Sequence, residues 1–389
     1  MQYRDFGTLD WKGSALGFGC MRLPTLDGQR SSGNIDEPEA IRMIRHAIDS
    51  GVNYLDTAYV YHEGKSELLV GNALQAGYRE RVKIATKLPA WLVKNADDFD
   101  RYLDEQLRRL RTDRIDFYLF HALNKDVWRD VVLEHKLLAK AEAALIDGRI
   151  GNLGFSFHGD YAEFYEVVNG CDLWSMCQLQ YSYMDTKNQA GTRGLQLAAH
   201  KKLAVVIMEP LLGGRLADPP PDVRAIIEDY PIQKTAAEWA FQWLWDQAEV
   251  SVVLSGMSNM VQVEQNLAFA DESRIGYFSP AETELIAEIR ARYMARTIVP
   301  CTRCGYCLPC PNGVDIPGNL ELYNYAHTFN DAVTAKFRYK VVMKEPQQAG
   351  SCTSCGSCEP LCPQKIDIPK WMAKVSVQLG SPHGAKHEE

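Results

Sequence analysis

The sequence predicts an α/β protein, a (β/α)8 TIM barrel followed by a smaller cysteine-rich domain. Two observations predict the barrel. Short apolar segments alternate with longer amphipathic segments, and eight such units fill about 280 residues, close to the ~250 typical of these barrels. A third observation predicts the second domain, because eight of the eleven cysteines lie between positions 301 and 362. We expect the barrel at 1–290 and the second domain at 291–389.

Eight segments rich in valine, isoleucine, leucine and phenylalanine are predicted as strands. They are Ala15–Leu23, Asn53–Ala58, Val82–Leu88, Ile115–Leu123, Asn152–His158, Met176–Tyr183, Ala204–Leu211 and Ser251–Met257. Several are continuous apolar runs, as expected for parallel strands that are buried on both faces. Between the first two, Glu37–Ser50 has helical apolar spacing and ends at Gly51. Before the barrel, Gln2–Phe6 and Thr8–Lys12 are expected to form a hairpin across its bottom.

A doubly wound sheet is the alternative fold for alternating strands and helices. Such a sheet usually has fewer strands and a glycine-rich first turn of the form G-x-G-x-x-G. The first predicted strand here contains Gly17-Phe18-Gly19-Cys20, which lacks the third glycine. The barrel is therefore the favoured prediction.

Composition and charge exclude several classes of function. The 389 residues carry a formal charge of −8, and no basic stretch stands out that could neutralise the phosphates of a nucleic acid. No apolar run reaches the ~18 residues needed to span a membrane. The N-terminal segment Met1–Phe6 lacks the apolar core of a signal peptide. We therefore expect a cytoplasmic protein with neither nucleic-acid nor membrane partners.

The cysteines form two related motifs. The first is Cys301-x2-Cys304-x2-Cys307-x2-Cys310-Pro311, and the second is Cys352-x2-Cys355-x2-Cys358-x3-Cys362-Pro363. The second has the spacing of bacterial ferredoxins, and the first is one residue shorter at its last gap. Each motif is followed by a related tail, Val314–Pro317 and Ile366–Pro369. The domain is therefore predicted to be an internal duplication that holds two [4Fe–4S] clusters.

The fourth cysteine of each ferredoxin motif ligates the other cluster. We therefore assign one cluster to Cys301, Cys304, Cys307 and Cys362, and the other to Cys352, Cys355, Cys358 and Cys310. Zinc is the alternative metal, but it explains neither the Cys-Pro steps nor the duplicated tails. The 41 residues between Cys310 and Cys352 exceed a minimal ferredoxin connection and look helical at Gly318–Phe329 and Asp331–Lys344. An α-helical ferredoxin-like domain is expected.

Four polar residues lie at or near the ends of successive predicted barrel strands. Asp56, Lys87 and His121 come at or near the ends of the second, third and fourth strands, and Tyr61 follows Asp56 by five residues. The carboxyl ends of the strands carry catalysis in a TIM barrel. Charged residues rarely close apolar strands for packing reasons alone. These residues are therefore the candidate catalytic group.

Residues 1–290 resemble the aldo/keto reductases. Beyond the four polar residues, the resemblance rests on Gly64-Lys65-Ser66-Glu67 with Gly71, on Leu107–Asp116, on Gly148–Ser156 and on Gln265-Asn266. With the cysteine-rich tail, the chain is similar to the iron–sulfur branch of that family. The resemblance implies that Tyr61 is the general acid, that Lys87 lowers its pKa, that Asp56 holds Lys87, and that His121 orients the substrate carbonyl.

The resemblance also implies a nicotinamide cofactor, NADP or NAD. Ser156 and Gln178 match the residues that bind the nicotinamide carboxamide, and Asn266 lies near the adenosine end. Four positions depart from the family pattern. Phe157 stands where an asparagine usually follows that serine. Met208 aligns where an aromatic ring usually stacks on nicotinamide. Gly256 and Gln262 align where many members have the cations that select NADP, so NADP and NAD both stay open.

The clusters and a hydride reaction differ in electron number, since each cluster passes one electron and hydride transfer moves two. Three interpretations stay open: the clusters are structural, they feed a flavin such as FMN in the barrel, or they serve an external ferredoxin-like partner. We predict an oxidoreductase that transfers hydride between a nicotinamide and a carbonyl or alcohol substrate. The alternative is an electron-transfer or redox-sensing protein with little carbonyl reductase turnover. A homodimer is compatible with either function.

Overall fold

A computed structural model describes residues 1–301 and 303–380, and the chain forms two compact units. The first unit comprises Met1–Ala217 and Lys234–Glu282. The second comprises Asp218–Gln233 and the described chain from Thr283 onwards. The segment Asp218–Gln233, which interrupts the barrel sequence, thus groups with the C-terminal part of the chain.

The first unit is a closed barrel of eight parallel strands, which confirms the predicted fold class. The hydrogen-bonded order around the barrel is β10-β3-β4-β5-β6-β7-β8-β9. The strands are β3 (Leu16–Gly19), β4 (Tyr54–Asp56), β5 (Lys83–Leu88), β6 (Ile115–Leu123), β7 (Ile150–Phe157), β8 (Trp174–Gln180), β9 (Ala204–Met208) and β10 (Val252–Ser255). All their pairings are parallel. Every predicted strand is present.

Helices follow the strands and cover the outside of the barrel. They are α1 (Glu37–Asp49), α2 (Ser66–Ala73), α3 (Asp97–Leu110), α4 (Leu137–Ile146), α5 (Tyr161–Asn169), α6 (Gly191–His200), α8 (Ala236–Trp245) and α9 (Met260–Asp271). Two further helices are α7 (Pro221–Glu228), which belongs to the second unit, and α10 (Pro280–Ala295), which crosses the division at Glu282. In α1 a capping residue determines where the helix begins. The Asp36 carboxylate caps the N-terminus by accepting a hydrogen bond from the Glu39 amide.

The predicted hairpin closes the bottom of the barrel. Strands β1 (Tyr3–Phe6) and β2 (Leu9–Ser14) pair antiparallel. Phe6 is fully buried among residues that fill the barrel interior, and its ring lies 4.8 Å from the ring of Phe117. Tyr54 packs beside both rings. Because the lower interior is filled by these aromatic side chains, only the opposite, carboxyl end of the strands is free to form a site.

The second unit has its own apolar core and a visible internal repeat. Besides α7 and most of α10, its described helices include α11 (Ile316–Thr328), α12 (Ala332–Phe337) and α13 (Ile368–Gly380). Both α11 and α13 follow a cysteine motif, and each is capped by an aspartate, Asp315 or Asp367. Buried Asn319 accepts from the Ala349 amide at 2.8 Å and donates to the Gln347 carbonyl at 2.7 Å, which joins the two halves.

The predicted helix Asp331–Lys344 is divided in the structure. It is α-helical over Ala332–Phe337 and continues as a π-helix over Arg338–Val342. Within the described residues, no helix is both long enough and apolar enough to cross a bilayer.

Candidate active site and cluster sites

The four candidate catalytic residues come together at the carboxyl end of the barrel. Asp56 ends β4, and Lys87 and His121 lie near the ends of β5 and β6. Tyr61 begins a short 3-10 turn after β4. Because β4, β5 and β6 are adjacent parallel strands, their carboxyl ends meet at one edge. The strand register therefore brings together residues that are up to 65 positions apart in the sequence.

Lys87 is the centre of this group. Its side chain is fully buried, and its ammonium donates to Asp56 Oδ1 at 2.6 Å, to the Thr57 carbonyl at 2.8 Å and to Tyr61 Oη at 3.4 Å. Burial alone would lower the pKa of Lys87, but the charge of Asp56 and the contact with Tyr61 outweigh it and raise the pKa above its usual value. Lys87 is thus a fixed positive charge beside the tyrosine hydroxyl.

Two opposing effects act on the pKa of Tyr61. Burial raises its pKa and is the larger effect, while Lys87 acts to lower it, so the pKa stands above the usual value. The sign of the Lys87 effect is as predicted. The larger, opposite effect of burial was not predicted, because the sequence does not show how deeply the phenol is buried. Tyr61 is therefore protonated at neutral pH and ready to donate.

His121 is held in the neutral form. Burial, followed by the nearby charges of Lys87 and His158, sets its pKa well below the usual value. Its ring lies 5.9 Å from the Tyr61 ring and 5.0 Å from the Trp91 ring. Its Nδ1 is buried and has no hydrogen-bond partner among the described residues. A buried imidazole nitrogen without a partner is costly unless a ligand satisfies it.

A local irregularity of β6 sets the position of His121. The pairing with β7 shifts between Phe120 and Leu123, and Ala122 has a left-handed backbone with φ of 56°. The Ala122 amide donates to Ser156 Oγ at 2.8 Å. This unusual backbone for a non-glycine residue occurs where strain is often retained for function. Nothing in the sequence identified it.

Buried Glu67 of α2 organises the outer side of the site. Its carboxylate accepts from Thr86 Oγ1 at 2.7 Å, from Gln106 Nε2 at 2.6 Å and from Arg109 at 3.2 Å. Gly71 allows α2 to approach α3, since an added Cβ would lie 2.5 Å from the Arg109 carbonyl. These contacts explain the sequence motifs around these residues as packing requirements next to Lys87.

The candidate cofactor residues fall into two groups at the same end of the barrel. Ser156, Gln178 and Met208 lie on the adjacent strands β7, β8 and β9. Gln178 Nε2 donates to Asp56 Oδ2 at 2.9 Å, so this residue also joins the catalytic group, a role that was not predicted. Of these three residues, Ser156 and Gln178 are buried and Met208 is partly exposed.

The second group lies after β10 and at the start of α9. Gly256 is exposed, and the Gln262 side chain accepts from the Ser258 amide at 2.8 Å, while Asn259 caps α9 by accepting from the Gln262 amide. Asn266 is buried and donates to Ser255 Oγ at 2.9 Å. Neither Gly256 nor Gln262 brings a positive charge to this place.

In the second unit the cysteines line two cavities. The first is lined by Cys301, Cys304, Cys307 and Cys362, and the second by Cys310, Cys352, Cys355 and Cys358 together with Cys307. Each cavity thus contains the four thiols assigned to one cluster, including the cysteine that crosses over from the other motif. All eight are free thiols. The donor set suits cubane iron, which is held by four thiolates.

The backbone around the thiols repeats in the two motifs. Arg303 and Gly305 in the first motif, and Ser354 and Gly356 in the second, all have left-handed φ values between 56° and 77°. Successive turns of this kind expose backbone amides to a concave surface, which is a common arrangement at iron–sulfur sites. Cys304 and Cys355 are exposed, whereas the other six cysteines are partly buried against the apolar core.

Comparison with known proteins identifies both parts of the chain. The sequence profile of the aldo/keto reductase family matches residues 15–279, and that of the 4Fe-4S dicluster domain matches residues 300–366. The uncharacterized oxidoreductase YqkF of Bacillus subtilis is 26% identical over 308 residues, which cover 71% of this chain and 93% of YqkF.

Solved structures share the barrel. Aldo-keto reductase AKR11C1 from Bacillus halodurans, in its holo form, superposes with a TM-score of 0.61 at 26% identity, over 74% of this chain and 96% of that chain. An aldo-keto reductase from Klebsiella pneumoniae, solved with NADPH, gives 0.60 at 23% identity, over 75% and 96%. The resemblance predicted from the sequence is confirmed. The chain belongs to the aldo/keto reductase family, and it carries a C-terminal 4Fe-4S dicluster domain.

Proposed function

We propose that the barrel catalyses reversible hydride transfer between a nicotinamide and a carbonyl or alcohol substrate. The observation that carries this proposal is the position of the Lys87 ammonium, which contacts both the Asp56 carboxylate and the Tyr61 hydroxyl within one buried site. A buried cation beside a phenol stabilises the phenolate that forms when the phenol gives up its proton. The substrate itself is a small molecule that fits the mouth of the barrel.

The four catalytic residues have different roles in this reaction. Tyr61 Oη donates a proton to the substrate oxygen, and Lys87 Nζ stabilises the resulting phenolate. Asp56 holds Lys87 through one oxygen and accepts a hydrogen bond from Gln178 on the other. Neutral His121 hydrogen-bonds the substrate oxygen and orients it. When bound, the nicotinamide supplies or accepts the hydride.

The nicotinamide would be held by Ser156, Gln178 and Met208, with Gly256, Gln262 and Asn266 on its adenosine side. Met208 offers a flexible thioether as a packing surface for the ring. Because Gly256 and Gln262 are uncharged, we do not assign the cofactor as NADP rather than NAD. FMN is the alternative occupant, and cofactor analysis decides between them.

For the second unit we propose two [4Fe–4S] clusters with the ligand sets that line the two cavities. Each set includes one exposed cysteine, Cys304 or Cys355, so each cluster would have an edge near solvent. Electron transfer to an external ferredoxin-like partner is therefore the role that this arrangement favours. The alternative function, redox sensing with slow turnover, keeps the same ligands but needs no rapid carbonyl reduction.

One experiment tests the main elements together. The protein is purified without oxygen, its iron and sulfide are counted, and its released cofactor is identified by chromatography. About eight irons and a nicotinamide or FMN peak are expected. Steady-state oxidation of NADH and NADPH is then measured with a panel of aldehydes and ketones. Nicotinamide oxidation that stays at the background rate with every carbonyl would favour the sensing alternative.

A further inference from the structure

The loop after β3 carries a cation next to the candidate catalytic group. The Cys20 amide donates to the Asp56 carbonyl at 2.8 Å, and the Leu23 amide donates to His62 Nε2 at 3.2 Å. Arg22 lies between these two contacts. One of them is to Asp56 and the other is to the residue after Tyr61, so the backbone of Arg22 is fixed beside the segment that carries the general acid.

His62 holds this loop rigidly. It is buried, has a left-handed backbone with φ of 51°, and its Nδ1 lies 2.7 Å from the Ser32 carbonyl. Since a carbonyl only accepts and the Leu23 amide only donates, Nδ1 must carry the hydrogen and Nε2 must be bare. A neutral His62 therefore joins both ends of the loop to the turn that begins at Tyr61.

The side chain of Arg22 occupies a defined place. Its stem covers Gly256, where an added Cβ would lie 2.9 Å from Arg22 Cγ. Its guanidinium donates to Ser31 Oγ, and that hydroxyl donates to the Met21 carbonyl at 2.9 Å. The absence of a side chain at position 256 thus makes room for the arginine.

The positive charge of Arg22 is not neutralised by a salt bridge within the described part of the chain. Among the described residues it forms no ion pair, although its side chain is partly buried. Burial lowers its pKa, while Glu209 and Tyr61 act in the opposite direction and Arg30 adds to the lowering. A partly buried cation without a paired carboxylate is costly, and an anionic ligand at this place would offset that cost.

We propose that Arg22 binds an oxyanion of the ligand that occupies the barrel mouth, so that the preferred substrates are carbonyl compounds bearing a carboxylate or phosphate. This inference rests on the proposed hydride transfer. The same chemistry could be supplied by the phosphates of the nicotinamide cofactor. The guanidinium offers several donors in a planar fork, which matches either oxyanion.

The test compares substrates that differ only in charge. Glyoxylate, succinic semialdehyde and 4-carboxybenzaldehyde are each assayed beside a neutral analogue: acetaldehyde, butanal and 4-methylbenzaldehyde. Arg22→Gln should raise KM for at least one carboxylated aldehyde about 10–100-fold, the loss expected for a hydrogen bond to a charged group. The constants for its neutral analogue and kcat should stay within about threefold, a margin smaller than that effect. Arg22→Lys should retain part of the preference.

Arg30→Gln is the matched control, since it removes an exposed positive charge from the same loop. It should change these constants little. If Arg30→Gln weakens carboxylated substrates as much as Arg22→Gln does, the effect is general charge and the specific site is refuted.

Binding measurements separate the two sources of the oxyanion and do not need turnover. Calorimetric titration of the nicotinamide-loaded protein with succinate should show binding that Arg22→Gln abolishes, if the substrate supplies the anion. A weaker Kd for the nicotinamide itself, with unchanged succinate binding, would assign the oxyanion to the cofactor. Neither change, with neutral aldehydes still reduced, would overturn the Arg22 proposal alone. If even the wild type reduces no aldehyde, the proposed function fails instead, while succinate binding still reports on Arg22.

Discussion

The barrel mouth and the cysteine-rich unit build their sites in opposite ways. In the barrel, Lys87 and Asp56 are 31 positions apart, and Gln178 and Asp56 are 122 apart. They meet because parallel strands end at one edge, and they already bind one another. In the second unit three thiols of each set come from one short repeated motif and the fourth crosses over from the other motif, and each set lines a cavity.

This difference separates preorganisation from ligand-dependent order. Protein hydrogen bonds hold the barrel group in place, so its geometry does not depend on a bound molecule. The thiols are held mainly by turns, and their mutual repulsion as thiolates would be offset by iron. We therefore expect mutations to affect chemistry in the barrel and cluster assembly in the second unit.

The largest expected effect is the loss of catalysis in Tyr61→Phe. Removing the proton donor should lower kcat about 10²–10⁴-fold, the usual contribution of a general acid. Tyr59→Phe is the matched control, since its hydroxyl contacts Glu105 at 3.1 Å and is not part of the catalytic group. Iron content should be unchanged in both. Full activity in Tyr61→Phe would contradict the proposed role.

Replacing a cluster ligand should instead lower the iron content. Cys310→Ser removes the thiol that crosses from the first motif into the second cavity, so about four of about eight irons should be lost. Cys171→Ser, at a partly buried free thiol of the barrel, should leave the iron content intact. Iron counts and visible absorption measure both. Loss of the iron bound by the first motif, with the second cluster retained, would refute the crossed assignment.

Glu67→Gln should destabilise the barrel by about 1–3 kcal/mol, because an amide cannot accept all the hydrogen bonds that Thr86, Gln106 and Arg109 donate to this buried carboxylate. The free energy of unfolding is measured in urea by tryptophan fluorescence. Glu63→Gln changes an exposed acid in the 3-10 turn that precedes α2 and should cost little. Equal stability in the two variants would show that the buried network contributes nothing.

The smallest effect concerns pH. Burial keeps the pKa of His121 well below its unfolded value of about 6.5, so below pH 6.5 the unfolded chain binds a proton that the folded chain does not. The free energy of unfolding should therefore decrease as the pH is lowered below about 6.5, by up to about 1.4 kcal/mol per pH unit. His121→Asn should flatten this dependence between about pH 6.5 and 5, whereas His46→Gln, at an exposed site, should not. An unchanged slope in His121→Asn would exclude His121 as its source.

Several features of the site were accessible from the sequence because they depend on local pattern. The eight strands were visible as apolar runs, and Asp56, Lys87 and His121 were visible as polar residues near their ends. The two cysteine motifs were visible from spacing alone. The fold class and the family were confirmed on this basis.

Other features depend on contacts between distant segments and were missed. Gln178 bonds to Asp56, Ala122 bends the strand beside His121, and Gly256 makes room for Arg22. The pKa of Tyr61 is raised because burial outweighs Lys87, and burial is not written in the local pattern. No residue spacing identifies such pairs before the strands have closed into a barrel.

The sequence by itself determined which elements form and which chemical groups the chain possesses, since periodicity and ligand spacing act over a few residues. Only the tertiary structure decided which groups meet and in what state. It placed the Lys87 ammonium between a carboxylate and a phenol. It left His121 neutral, with an Nδ1 that has no hydrogen-bond partner among the described residues, and it fixed Arg22 beside the segment that carries Tyr61. The physical reason is that burial and charge act through space, where neighbours are set by strand register and loop packing.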